Sequence, residues 1–172
     1  MAAASQACEL EHVSAKAVRL FSSRRLTLGT AESLTGGMIA AAVASVPGAS
    51  SVLMGGIVSY DPRVKRDLLG VPQEIIDGVG VVSEPCARQM AVGARAALKT
   101  DVAVSATGIA GPAGGTPKTP VGTVFIGVSG PNGTQVEKCL FEGDRQSVRA
   151  QSARRALEMA INYLTRVYPA KS

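Results

Sequence analysis

Apolar residues at Val13, Ala17, Leu20 and Phe21, with charged residues between them, keep the spacing of a helix over Leu10–Arg25. Leu26–Ala31 is then a short apolar run of strand length, and Thr35–Val46 returns to helical spacing until Pro47-Gly48 stops it. Val52–Tyr60 is apolar enough for an interior strand, and its Gly55-Gly56 pair marks a bulge or a close backbone approach. Asp61-Pro62 starts a short helix through Leu69, since Asp caps well and Pro suits the first helical turn. Gly70-Val71-Pro72 breaks it, and Gln73–Gly78 is a further short helix.

Ser83, with Pro85 in the first turn, opens a helix that runs to about Lys99, and Val102–Ala106 is the next strand. Thr107–Gly115, extended by Thr116–Pro120, is the stretch richest in Gly and Pro; such a loop is either mobile or functional. Val121–Ser129 and Thr134–Phe141 flank Gly130-Pro131-Asn132-Gly133, a hairpin signal with Asn-Gly at its centre. Asp144 caps a long last helix whose buried stripe is Ala153, Ala156, Leu157, Ala160, Ile161 and Leu164. The order predicts an α/β fold, a three-layer α/β/α sandwich on a mixed, mostly parallel sheet. Residues 1–9 are expected as a flexible tail and 10–168 as a single domain, with no internal repeat and no linker.

Composition narrows this. With 172 residues, 46% apolar and 18% charged, the chain suits one domain with a sizeable core. Aromatic residues make up only 3% and Trp is absent, so the core is built from Val, Ile, Leu, Ala and Met, as in a buried parallel sheet. The net charge is +5, densest over Arg145–Arg155 of the last helix. That stretch reads first as a solvated helix face and second as a site for a small anion. No basic stretch alternates with aromatic residues, so no nucleic-acid partner is expected.

Cys8, Cys86 and Cys139 are odd in number, have no zinc-site spacing and read as buried small hydrophobes in a reducing compartment. The N-terminal residues lack a secretory pattern, and no apolar run reaches membrane-spanning length, so a cytoplasmic protein with no membrane partner is expected. The Ala-rich faces of the last helix lead to the expectation of a homo-oligomer.

Elimination sharpens the chemistry. His12 is the sole histidine and precedes every predicted strand, which disfavours Ser-His-Asp, Cys-His and most zinc sites. No phosphate-binding P-loop, no dinucleotide fingerprint after the first strand and no Gly-x-Ser-x-Gly elbow is present. What remains is Ser33 in TAESLTGG, a nucleophile if a neutral lysine or a phenol takes its proton. SYDPRVK supplies both, as Tyr60 and Lys65. Ser33, Tyr60 and Thr107 each follow a different predicted strand, and strand C-termini gather on the ligand-binding edge of an α/β sheet.

Each of these residues also has a plainer reading. Ser33 is equally a helix cap, Lys65 an exposed helix lysine beside Arg63 and Arg66, and the glycines of TGIAGPAGG turns or an anion-binding nest. A lysine base needs a pKa several units below its usual ~10.4, which burial or a nearby cation supplies. The N–H groups of Thr35, Gly36 and Gly37 at a helix start suit an oxyanion or a phosphate.

Five motifs occur in order: AESLTGG, SYDPRVKRDLLGV, SATGIAGPAGG, PVGTVFIGV and FEGDRQSVRAQSARRAL. Together, from about Leu10 to Leu164, they resemble the CinA C-terminal domain family, the nicotinamide-mononucleotide amidases. The resemblance implies hydrolysis of the carboxamide of nicotinamide mononucleotide to nicotinate mononucleotide and ammonia, a step of pyridine-nucleotide salvage needing neither metal nor organic cofactor. It implies Ser33 as nucleophile with Tyr60 and Lys65 as its base system. Thr35, Gly36, Gly37, Thr107, Gly108, Ala110, Gly111 and Arg145 are the expected substrate-binding residues. The second expectation is a non-catalytic nucleotide-binding module that uses the same loops.

Overall fold

In the computed structural model the described residues are 2–169. Helix α1 (Ala2–Ser23) leads into strand β1 (Leu28–Glu32), helix α2 (Met38–Ala44) and strand β2 (Leu53–Val58). Helices α3 (Pro62–Leu69), α4 (Gln73–Asp77) and α5 (Glu84–Leu98) follow in succession. Strands β3 (Val102–Gly108), β4 (Thr123–Gly130) and β5 (Gly133–Leu140) come next, and helix α6 (Arg145–Val167) ends the fold. Helix α1 begins ahead of the expected Leu10, so residues 2–9 are helical, and Gln6 Nε2 donates to Ser147 Oγ at 2.7 Å. Residue 1 of the expected tail lies outside the described residues.

The five strands form one sheet in the order β2-β1-β3-β4-β5. β1 pairs in parallel with β2 and β3, whereas β4 pairs antiparallel with β3 and with β5. Two reversals restore direction, so β1, β2, β3 and β5 all point the same way. Their C-terminal ends share one edge of the sheet, and the residues that follow them collect there.

The two-residue period of a strand sorts the side chains between two helical layers. Leu28, Val102, Val104, Ala106, Val124, Ile126 and Val128 face the core shared with α1, α2 and α6. Ala31 and Ala103 face Cys86, Met90 and Ala94 of α5 and Leu69 of α3. Three layers result, α/β/α, as the element order predicts. On the α5 side a Cβ at Gly93 would overlap the Leu69 carbonyl oxygen, so a glycine is what lets α3 lie this close to α5.

Three expectations change. β2 lies at the sheet edge and not in the interior, and its exposure alternates along the strand with Met54 and Val58 open to solvent. The hairpin turns at Pro131-Asn132, because Gly130 and Gly133 still pair as strand residues. Ala153, Ala156 and Ala160 are fully buried in the core under α6, so that face is not available for self-association. Among the described residues no helix is long and apolar enough to cross a membrane.

Candidate active site

The ladder bonds of β1 continue one step past the sheet: Ser33 N–H donates to Ala106 O at 2.9 Å, and Ser59 N–H donates to Glu32 O at 2.8 Å. Ser33 and Ser59 are thereby fixed side by side above adjacent strands. Asp61 then caps α3, accepting from Arg63 N–H at 2.8 Å, with Pro62 in the first turn. This helix start turns Lys65 inward, where it is only 1% exposed. Its Nζ lies 3.0 Å from Ser33 Oγ, donates to Ser59 O and reaches Tyr60 O at 3.4 Å.

Among the described residues no carboxylate pairs with Lys65. Removal from water therefore dominates and holds its ammonium below the ordinary value of 10.5, with Cys86 and Asp61 opposing weakly. The exposed-lysine reading is excluded. A neutral amine has two N–H donors and one lone pair. As an ammonium, Nζ donates to the Ser33 hydroxyl as well as to the two carbonyls; a neutral amine that kept its two donors on the carbonyls of Ser59 and Tyr60 would turn its lone pair to the Ser33 hydroxyl. Cys86, on the α5 side of Lys65, is an inert thiol, pushed up to about 11 by burial.

Ser33 is not the cap of α2. The cap position is Gly37, at φ 95, and α2 begins at Met38, three residues later than the apolar pattern suggests. The capping carboxylate belongs to Glu32, which is fully buried. Glu32 Oε2 accepts from Gly37 N–H and Ile39 N–H at 3.0 Å each, and Oε1 accepts from Ala40 N–H at 2.8 Å and from Thr30 Oγ1–H at 3.1 Å. A strand residue thus closes the start of the next helix, and the serine between them is free for other work. Sequence reasoning missed Glu32; its one signal is a carboxylate at a strand end just ahead of Gly-Gly and an apolar helix.

Two of the expected anion-holding N–H groups are already committed, Gly36 N–H to Ser33 O at 3.0 Å and Gly37 N–H to Glu32. Leu34 and Thr35 N–H make no hydrogen bond among the described residues. They immediately follow the serine, and Leu34 lines the cavity beside it. That cavity, of about 250 Å³, is walled by Ser33, Leu34, Tyr60, Arg145 and the Gly108–Gly111 segment, including Ala110.

The side chains of Tyr60 and Thr107 do not make the contacts expected of them. The Tyr60 phenol is 58% exposed and accepts from Arg145 Nη2 at 2.8 Å, with no hydrogen bond to Ser33 or Lys65. Its tie to the lysine runs through its main-chain carbonyl. Thr107 points to the opposite face of the sheet, where Oγ1 donates to Val81 O at 2.7 Å. It is 1% exposed and lines no part of the cavity.

The basic stretch of α6 is more than a solvated face. Arg145 Nη1 donates to Gly111 O at 2.8 Å while Nη2 holds Tyr60, so one guanidinium joins the glycine loop to the end of β2. One turn later, Arg149 donates from Nε to Leu34 O at 3.0 Å and from Nη2 to Thr35 O at 2.8 Å. Neither arginine pairs with a carboxylate among the described residues, whereas Arg154 and Arg155 are engaged with Glu9, Glu137 and Glu158. The cavity rim is accordingly positive. Arg149 was missed in the sequence, although it lies four residues after Arg145 and hence on the same helix face.

The family model of the CinA C-terminal domain matches residues 10–164. A CinA-like protein of Thermotoga neapolitana is 45% identical over 141 residues, covering 82% of this chain and 34% of the relative. A CinA-like protein of Anaeromyxobacter dehalogenans is 50% identical over 135 residues, covering 78% of this chain and 33% of the relative. The chain thus spans about a third of the length of the curated relatives it matches. Among solved structures, the competence/damage inducible protein CihA from Agrobacterium tumefaciens superposes with a TM-score of 0.88 at 38% identity, covering 90% of this chain and 94% of that one.

Proposed function

The chain belongs to the CinA C-terminal domain family, and from that premise we propose that it is an amidohydrolase that deamidates nicotinamide mononucleotide. The observation that carries the reading is the pair formed by Ser33 and Lys65: a hydroxyl 3.0 Å from a lysine that is buried and has no carboxylate partner among the described residues. A non-catalytic nucleotide-binding module has no use for such a lysine.

In the first half-reaction Ser33 Oγ bonds to the carboxamide carbon while its proton passes to Lys65 Nζ. The oxygen that gains the negative charge sits between the Leu34 and Thr35 N–H groups. The tetrahedral species then collapses, the C–N bond breaks, and Lys65 returns its proton to the departing nitrogen, which leaves as ammonia. In the second half-reaction a water oxygen bonds to the acyl carbon, giving its proton to Lys65, and the ester bond to Ser33 breaks as the serine is reprotonated. Arg145 and the Gly108–Gly111 loop hold the phosphate and ribose, with Tyr60 completing the wall on the other side.

Ammonia release from nicotinamide mononucleotide, measured for the wild type and for Ser33→Ala, tests the reading. Turnover by the wild type and its loss in the variant are expected. Full activity in Ser33→Ala removes the nucleophile assignment, and a wild type that binds without turnover favours the nucleotide-binding module.

A further inference from the structure

From Ser33 to Ala41 every backbone N–H can be assigned. Ser33 bonds to Ala106 O, Gly36 to Ser33 O, Met38 to Thr35 O and Ala41 to Gly37 O. Gly37, Ile39 and Ala40 bond to the Glu32 carboxylate. Leu34 and Thr35 are left over, and theirs are the two N–H groups that follow the serine. The carbonyls of the same two residues are both held by Arg149.

In a trans peptide unit the C=O and the N–H point in opposite directions. The Leu34 carbonyl shares its peptide unit with the Thr35 N–H, so drawing that carbonyl against α6 aims the N–H away from α6. Hydrogen bonds from a guanidinium are charge-assisted, and a bond accepted at one end of a peptide unit strengthens the donor at the other. Arg149 also donates to Gln146 Oε1 at 3.1 Å and pairs with no carboxylate among the described residues, so its charge acts on the turn unneutralised.

We propose that Arg149 is a positioning residue of the site, which fixes the Leu34-Thr35 turn, and through the Leu34 carbonyl aims the free Thr35 N–H, so that this N–H, with that of Leu34 beside it, acts as an oxyanion donor. It acts through the backbone and touches no reacting atom. The proposal rests on Ser33 being the nucleophile, but not on the identity of the substrate.

A fluorophosphonate probe separates the two. In that reaction Ser33 Oγ bonds to phosphorus, the P–F bond breaks, fluoride leaves and the hydroxyl proton goes to Lys65, with no pyridine nucleotide involved. Labelling rates are read by intact mass for the wild type, Ser33→Ala, Arg149→Gln and Arg149→Lys, each checked for a wild-type-like thermal transition.

The wild type is expected to label at Ser33. The folded Arg149 variants should label on the order of tenfold more slowly, less than the 10²–10³ lost when an oxyanion donor itself is removed. Arg149→Lys stays slow because an ammonium cannot reproduce the two-pronged contact. In a further variant, Arg149→Ala, which leaves room for the reagent, added guanidinium should restore part of the rate, a rescue that a purely structural role would not give.

Wild-type labelling rates in both folded variants would overturn the proposal, as would a wild type that the probe does not label. A wild type that labels but does not turn over nicotinamide mononucleotide removes the substrate assignment and leaves the comparison among Arg149 variants decisive.

Discussion

Lys65 Nζ lies 3.0 Å from Ser33 Oγ although 32 positions separate the two in the chain, and among the described residues the other oxygens it bonds are main-chain carbonyls. Burial, with no carboxylate in contact among the described residues, holds the lysine below its ordinary 10.5. The rate of the proposed amidase reaction should therefore rise with pH through a single ionisation whose midpoint lies below 10.5. A pH–kcat/KM profile with no rising limb at any pH below 10.5, or one that falls as Lys65 deprotonates, would count against a neutral lysine base.

The same shift has a stability consequence of definite sign. Between the depressed folded-state pKa and 10.5 the unfolded chain binds a proton that the folded one does not, so stability rises with pH across that window. The burial penalty is fully present below the folded pKa and fades as pH approaches 10.5. The slope contributed by one group is at most ~1.4 kcal/mol per pH unit. Urea denaturation at stepped pH should show this slope in the wild type and lose it in Lys65→Met.

Glu32→Gln should destabilise the fold. An amide has one acceptor oxygen where the carboxylate has two, so helix-start N–H groups are left facing an NH₂. Unsatisfied buried donors cost ~1–3 kcal/mol each, and a total of about 3 kcal/mol would lower the melting temperature by about 6–12 °C in a domain of this size. Calorimetry checks this, and a change under about 2 °C would mean that the Glu32 bonds are not needed to hold α2.

These residues also show what the sequence could and could not reveal. Asp61-Pro62, Ser83 with Pro85, and Asp144 were legible as helix starts because a cap and its N–H groups lie within three residues of each other. The start of α2 was not, because its capping carboxylate lies on the preceding strand, five to eight residues before the N–H groups it serves. An apolar run does not distinguish an edge strand from an interior one, so the place of β2 followed only from the pairing order. Whether Thr107 faced the cavity or the Val81 carbonyl ahead of α5 turned on one residue of strand register, which no local pattern specifies. Ser33 and Lys65 were legible as candidates, but their contact depends on β1 and β2 being neighbours.

Gly93→Ala tests how tightly the base is placed. The added methyl meets the Leu69 carbonyl oxygen, a backbone atom at the end of the helix that carries Lys65. Relief requires α3 to move off α5, at a cost of about 1–3 kcal/mol. Activity should fall by more than this loss of stability explains, since Lys65 moves with its helix. A folded Gly93→Ala protein with wild-type kcat would show that α3 can shift without disturbing the site.

Arg145→Ala should discriminate between nucleotide and nucleoside. A hydrogen bond to a charged group contributes ~1.5–3 kcal/mol, which corresponds to about 10- to 150-fold in KM. That loss is expected for nicotinamide mononucleotide and should be much smaller for nicotinamide riboside, which has no phosphate. Equal losses for both would place Arg145 on the ribose or on Tyr60 alone.

The carbonyl oxygens that anchor Lys65 belong to the backbone of residues 59 and 60, so the chain can vary the exposed side chain at 60 without altering what the amine meets. The Tyr60 ring is already turned to solvent, and the Ser59 hydroxyl has no partner among the described residues. Substitutions at position 60 can therefore drift, or be selected for new ligands, while Lys65 stays in place; position 59, fully buried, has no such freedom. The wall of the pocket is mutable, and its base is inherited through the strand that ends beside it.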